Sequence, residues 1–298
     1  MVQQFGGDWT EEKLQRVREY LVAYTTAMRK QPYRLVYLDA FAGTGYREMA
    51  DDPANAGQMD LFHDLMEGSS ERYSMGSARI ALEVTPRFDK YAFVERSPAK
   101  VIELGQLLSD YPDKTADIVI EPGDANEVLQ TWANMDWNAP VDGHRGRRAV
   151  LFLDPFGMQV AWETIEAVAK TKAIDVWLLF PLAPVNRLLR RDGRIPESHQ
   201  RTLDRVFGTQ EWRQVFYKSS PRDLFDLSTD LEKASGFDMI VRFVLSRLRQ
   251  VFPAVAKSPL VLRNNRGSPL YLLCFAVSNP SRKAIELAMR IANHILAK

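Results

Sequence analysis

Five short apolar runs punctuate the first two-thirds of the chain, each followed by a polar or helix-like stretch. They are RLVYLDAF (34–41), YAFVER (91–96), DIVIEPGDA (117–125), RAVLFLDPFG (148–157) and DVWLLFPL (175–182). Their hydrophobicity is continuous rather than alternating, which marks strands buried on both faces. Helix-like segments at 98–108, 126–135 and 162–172 lie between them. Strands alternating with helices predict βαβ units and a parallel sheet. Ahead of the first run, TEEKLQRVREYLVAYTTAM places Leu14, Val17, Leu21 and Tyr24 at helical intervals. Glu11 and Glu12 suit the start of that helix and Pro32 ends it. Near the end, SPLVLRNNRGSPLYLLCFAVSNP holds two apolar runs around the turn-like NNRGSP, predicting an antiparallel hairpin at the sheet edge. A final helix carries Ile285, Ala288, Met289, Ala292, Ile295 and Leu296 on one face. The fold class expected is α/β: a doubly wound sheet, mostly parallel with an antiparallel C-terminal hairpin strand, and helices on both faces.

Composition narrows this picture only slightly. The 298 residues are 46% hydrophobic and 26% charged, ordinary for a soluble globular chain, and a single domain over 1–298 is expected. The formal net charge of +1 gives no global field toward nucleic acid or an anionic membrane. No run approaches about 18 apolar residues, so no membrane partner is expected. The opening MVQQFGGDWTEEKL lacks a basic region followed by an apolar one, so it does not read as a signal peptide. The one cysteine, Cys274, sits in an apolar run and reads as a buried small hydrophobe, which fits a reducing, cytoplasmic setting. The four histidines are scattered without metal-ligand spacing, so no metal site is expected.

Charge is distributed unevenly. Between Gly45 and Glu95 lie about fifty residues, where a minimal strand-helix-strand unit needs roughly twenty. The excess, an acidic insertion at 46–76, holds seven acids and two arginines over 46–75 and reads as a mobile lid or a protein-partner surface. A basic helical excursion is expected at 184–235; within it, 186–213 has seven arginines against four acids. Arginines beside Phe207 and Trp212 suit phosphates and stacked bases, and equally suit a solvated helix pair laced by ion pairs. HRGRR (144–148) precedes the fourth strand and belongs at the opposite, amino-terminal edge.

In a doubly wound sheet, ligands sit beyond the carboxyl ends of the strands. The residues to inspect are therefore Asp39 to Gly45, Glu95 and Arg96, Asp124 and Ala125, and Asp154 to Gly157. Gly43 and Gly45 let the chain turn sharply and approach a ligand with no Cβ in the way. A dinucleotide loop would add a third glycine at position 48, but Glu48 stands there and would repel a pyrophosphate. A P-loop would need Lys followed by Ser or Thr. The ligand expected is thus one without a phosphate chain, and S-adenosylmethionine meets that condition. Asp39 would bond its ammonium or a ribose hydroxyl, with Ala40 and Phe41 in the same loop. Glu95 would hold the ribose hydroxyls and Asp124 the adenine amino group. Each acid taken alone also fits a solvated strand end. At the fourth strand, Asp154 and the Pro155 carbonyl would accept from an amino group while Phe156 stacks on a planar ring.

These motifs resemble those of class I S-adenosylmethionine-dependent methyltransferases, the Rossmann-like kind. LDAFAGTG is similar to that superfamily's cofactor loop, and VER and GDA to its second- and third-strand positions. LDPFG sits where amino methyltransferases acting on nucleic acid carry Asp/Asn-Pro-Pro-aromatic, although here the ring is displaced by one position. WTEEKL, YLVAYT, GSARIALE, FVER and LDPFG together resemble the three-Cys-motif partner family, a bacterial methyltransferase-like group. The resemblance implies that Trp9 and Lys13 lie near the cofactor and that Lys13 pairs with its carboxylate; read alone, Lys13 is a helix-surface lysine. The activity expected is methyl transfer to a planar, amine-bearing acceptor, either a nucleic-acid base or a small heteroaromatic molecule. The alternative is a cofactor-binding partner protein without turnover.

Overall fold

The computed structural model describes residues 8–44, 76–219, 231–234 and 236–298. The five parallel strands are β1 (Arg34–Asp39), β2 (Lys90–Glu95), β3 (Ile118–Pro122), β4 (Arg147–Leu153) and β5 (Ile174–Phe180). They pair in the order β3-β2-β1-β4-β5. The winding reverses at β1: β2 and β3 are laid down on one side, β4 and β5 on the other. A crevice opens beyond the carboxyl ends at such a reversal because the flanking connections leave in opposite directions.

Two short strands, β6 (Tyr217–Ser219) and β7 (Leu231–Lys233), form a separate antiparallel ladder. The basic excursion is therefore not purely helical, since the chain leaves its last helix at Tyr217 for a strand. Lys233 fixes that ladder to the rest by donating to the Asn186 carbonyl (3.0 Å) and side-chain oxygen (2.7 Å). The C-terminal hairpin is present as β9 (Leu260–Arg263) and β10 (Pro269–Val277). The hairpin lies at the sheet edge, with β10 as its inner strand. That strand pairs antiparallel with β5 on one side, and β9 and the two-residue β8 (Ala254–Val255) share its other side. Eight of its nine residues are buried, and a run that apolar needs cover on both edges and both faces.

Helices cover the sheet on either side. On one face lie α1 (Asp8–Met28), α2 (Ser77–Glu83), α3 (Pro98–Leu104), α4 (Leu107–Asp110) and, last in the chain, α11 (Arg282–Leu296). On the other lie α5 (Ala125–Ala133), α6 (Trp162–Lys170), α7 (Leu182–Leu188), α8 (Glu197–Phe207), α9 (Trp212–Phe216) and α10 (Phe237–Val251). No helix among the described residues is long and apolar enough to cross a membrane. Cys274 is a buried free thiol in β10, and burial pushes it up to about 12. The acidic stretch 46–76 lies outside the described residues except for Gly76, as do Gly45 and Glu48.

Strand parity assigns side chains to the two faces. Leu35 and Tyr37 of β1, Val150 and Phe152 of β4, and Trp177 and Leu179 of β5 pack under α1. Val36 and Leu38, Leu151 and Leu153, and Val176 and Leu178 pack on the opposite side. α1 runs along its face through Val17, Tyr20, Leu21 and Tyr24, with Tyr20 wedged against Trp177 (5.3 Å between ring centroids) and Phe275 (4.7 Å). Each such ring contributes about 2–3 kcal/mol by leaving water, so the helix is anchored along its length.

Candidate functional site

β1 ends at Asp39, whose parity turns its side chain toward α1. The residue is fully buried. Its carboxylate accepts from the Phe41 amide (3.2 Å), the Tyr37 hydroxyl (3.4 Å) and the Ser77 hydroxyl at the start of α2. Burial raises Asp39 from 3.8 to about 6; the Ser77 and Phe41 bonds and nearby Lys13 oppose the rise, and Asp154 adds to it. Asp39 is thus the organiser of the loop, and it would act on a ligand through the amides it orients. Beyond it, the backbone divides: Ala40 donates to the Phe152 carbonyl of β4 (3.2 Å) and Ala42 to the Val94 carbonyl of β2 (3.0 Å). Gly43 follows with φ +61°, a left-handed turn that costs any other residue strain, and among the described residues a Cβ there would meet nothing within 4 Å. A loop clamped on both sides, with no described residue against its glycine, suits a ligand that approaches main chain.

Asp154, the residue after β4, shares parity with Phe152 and so also faces α1. There it forms an ion pair with Lys13. Lys13 is not a surface lysine: it is only 4% exposed, with its ammonium 5.5 Å from the Trp9 ring centroid and 5.9 Å from that of Phe152. Trp9 in turn stacks on Tyr271 of β10 at 5.0 Å. Thr10, three residues before Lys13 and on the same helix face, is buried, and its hydroxyl has no hydrogen-bond partner among the described residues.

The other strand ends are arranged more conventionally. Glu95 is half-buried and accepts from the Ser97 amide (2.7 Å). Arg96 is exposed. Asp124 is the N-cap of α5, accepting from the Asn126 amide (2.9 Å), as a short acid before a helix does. Ala40 and Ala125 are packed in the core and Phe41 lies at its margin. Among the described residues Asp39, Glu95, Asp124 and Asp154 thus stand at or just past the carboxyl ends of four adjacent strands, with Lys13 paired to Asp154 and Gly43 in the loop after β1.

Pro155 is buried, whereas Phe156 is 40% exposed, the ring lying at the surface beside the β4 end. The loop carrying them is fixed from below by Asn126. Its side-chain oxygen accepts from the Ala161 amide (2.9 Å) and the Thr164 hydroxyl (3.0 Å), while its amide donates to the Gln159 carbonyl (3.0 Å). Gln159 then accepts from the Phe156 amide (3.0 Å). From α8, Arg205 donates to the Met158 carbonyl (2.8 Å). Sequence reasoning missed Ser77, Thr10, Tyr37 and Asn126. Ser77 is the serine of GSARIALE, and Asn126 directly follows the predicted Asp124–Ala125 pair; their partners are distant in sequence, so neither role shows in spacing.

No family model matches the chain, and no curated protein matches it. Solved structures do align with it. A protein from Legionella pneumophila aligns at 14% identity over 96% of this chain and 92% of its own, with a TM-score of 0.49. An O-methyltransferase from Bacillus cereus, solved with S-adenosylhomocysteine, aligns at 12% identity over 87% of this chain and 80% of its own, with a TM-score of 0.36. An rRNA methylase from Streptococcus thermophilus aligns at 15% identity over 74% of this chain and 95% of its own, with a TM-score of 0.29.

Proposed function

We propose that the chain is an S-adenosylmethionine-dependent methyltransferase acting on a planar acceptor that bears an amino group, a nucleic-acid base or a small heteroaromatic molecule. The observation that carries the reading is the β1 loop, clamped by Asp39 and with no described residue against left-handed Gly43, at the point where the sheet's winding reverses. The surrounding donors fit the cofactor. Glu95 suits ribose hydroxyls, Asp124 suits the adenine amino group through the carboxylate capacity its cap bond leaves, and Lys13 with Thr10 suits a carboxylate. Bound there, the cofactor supplies an electrophilic methyl group.

Transfer of that group is an in-line displacement, so the protein's task is mostly to position the acceptor. Phe156 offers an exposed ring for stacking, and the Asn126–Gln159 network fixes the loop from which it projects. Asp154 and the Pro155 carbonyl would accept from the acceptor's N–H groups and aim its lone pair. The same crevice would serve a binding protein without turnover, with 46–76 as a surface for a protein partner. Transfer of labelled methyl groups to mixed nucleic acid and nucleosides separates the two.

The cofactor assignment is tested by calorimetry with S-adenosylhomocysteine on the wild type and on Gly43→Val. One-to-one binding by the wild type, lost in the variant, is the expected result. Wild-type binding of NAD instead, or equal binding by both proteins, would overturn it.

A further inference from the structure

We propose that Lys13 is a shared cation: it holds Asp154 before the cofactor arrives and is drawn off by the cofactor's carboxylate, so that Asp154 becomes available to the acceptor amine only in the loaded protein. The inference rests on the cofactor reading above and adds an order of binding to it.

The asymmetry of the ion pair is the main argument. The Lys13 side chain is 5% exposed and that of Asp154 is 25% exposed. A buried ammonium left without an anion costs several kcal/mol, so Lys13 must always be paired. Asp154 sits nearer to water and can be released at much smaller cost. Of the two, the anion is the exchangeable partner. An incoming carboxylate replaces one negative charge by another, and the buried lysine loses nothing in the exchange.

Its surroundings prepare Lys13 for a second anion. α1 is anchored by Tyr20, Leu21 and Tyr24, so the ammonium can move only by rotation of its own side chain. Trp9, held against Tyr271, stands beside it. Thr10 brings a buried hydroxyl with no partner among the described residues to the same helix face, a donor suited to a second carboxylate oxygen. Asp39 lies within electrostatic reach of both members of the pair, but its carboxylate already accepts from Phe41, Tyr37 and Ser77. It is therefore poorly placed to take Lys13 when Asp154 lets go.

The test compares two probes, S-adenosylhomocysteine, which has the carboxylate, and 5′-deoxy-5′-methylthioadenosine, which lacks it. Asp154→Asn removes the competitor and should bind S-adenosylhomocysteine about tenfold more tightly than wild type, the scale of one charge-assisted hydrogen bond. Lys13→Met should bind it about tenfold more weakly, and Lys13→Arg should restore most of the loss. None of the three should alter affinity for methylthioadenosine. Because Asp154→Asn leaves Lys13 unpaired, S-adenosylhomocysteine should also raise its melting temperature more than that of the wild type. Weaker or unchanged binding by Asp154→Asn would overturn the proposal, as would parallel changes with both probes. If the wild type binds neither probe, the cofactor reading itself falls and the exchange falls with it.

Discussion

Glycine 43 and glycine 208 have almost the same backbone, φ +61° and +64°, yet a methyl group would meet opposite surroundings. At Gly43 it would meet nothing within 4 Å among the described residues, so Gly43→Ala should carry only the left-handed penalty of about 1–2 kcal/mol. At Gly208, the C-cap of α8, it would lie 2.1 Å from Trp162 Cδ1. That indole is held by Glu166 (3.0 Å) and covered by the Arg247 guanidinium at 4.8 Å, so it cannot simply swing away. Gly208→Ala should therefore cost about 1–3 kcal/mol more than Gly43→Ala. Urea denaturation of the two variants checks this, and equal losses would contradict it. The glycine of the β1 loop was legible in the sequence because left-handed turns leave a residue-type signature. Lys13 was not. Helical spacing shows that it lies near Leu14 and Val17, but its burial depends on Asp154, 141 residues away, having the parity that turns it to the same face.

Elements bounded by continuous apolar runs were readable because burial on both faces leaves no alternation to misread. All five parallel strands, α1, α11 and the β9–β10 hairpin fall where the pattern predicts. That β10 is the inner strand of the hairpin did not follow, since strand order is decided by which edges remain open after β5 is laid down. β6 and β7 were missed because three-residue strands are too short to show a period. α10 lay outside the elements read from the chain. The loop from Asp154 to Ala161 is the element on which the acceptor site depends, and Asn126 holds its far end while Lys13, Gln159 and Arg205 hold other points along it. Replacing Asn126 by Ala removes the bonds to Ala161, Thr164 and Gln159 together. Two amide or carbonyl groups of the loop then need new partners, at about 1–3 kcal/mol in all. Hydrogen exchange should quicken at the Phe156 and Ala161 amides while the β1 and β4 amides stay protected. If the loop amides exchange at the wild-type rate, Asn126 is not what holds it.

At the scale of the whole molecule, α1 links the crevice to the far edge of the sheet. Lys13 lies at the carboxyl ends of the strands, and Tyr20 and Tyr24 reach toward Asp175 near the start of β5. Asp175 is buried, and burial raises it from 3.8 to about 7 despite its bond from the Ser278 amide (3.3 Å) and the charge of Arg148. Asp39 is raised to about 6 for the same main reason. A carboxylate whose folded pKa is raised binds its proton more tightly in the folded chain. Its contribution to stability is complete below the unfolded value near 3.8 and is lost as pH rises through the folded value. For these two residues the loss runs from about pH 4 through about 6 and 7 and is finished by about pH 8. Asp175→Asn keeps an oxygen for the Ser278 amide but has no charge to bury, so it should escape the upper part of this loss. The variant should match the wild type near about pH 4, and should gain on it steadily up to about pH 8. Taking the difference cancels groups common to both, including Glu19, which Lys298 lowers and which therefore acts in the opposite sense. Thermal melts of the two proteins across that range decide the matter. A difference independent of pH would mean that Asp175 gives up its proton in the fold as readily as in the unfolded chain, so that burial does not hold back its charge.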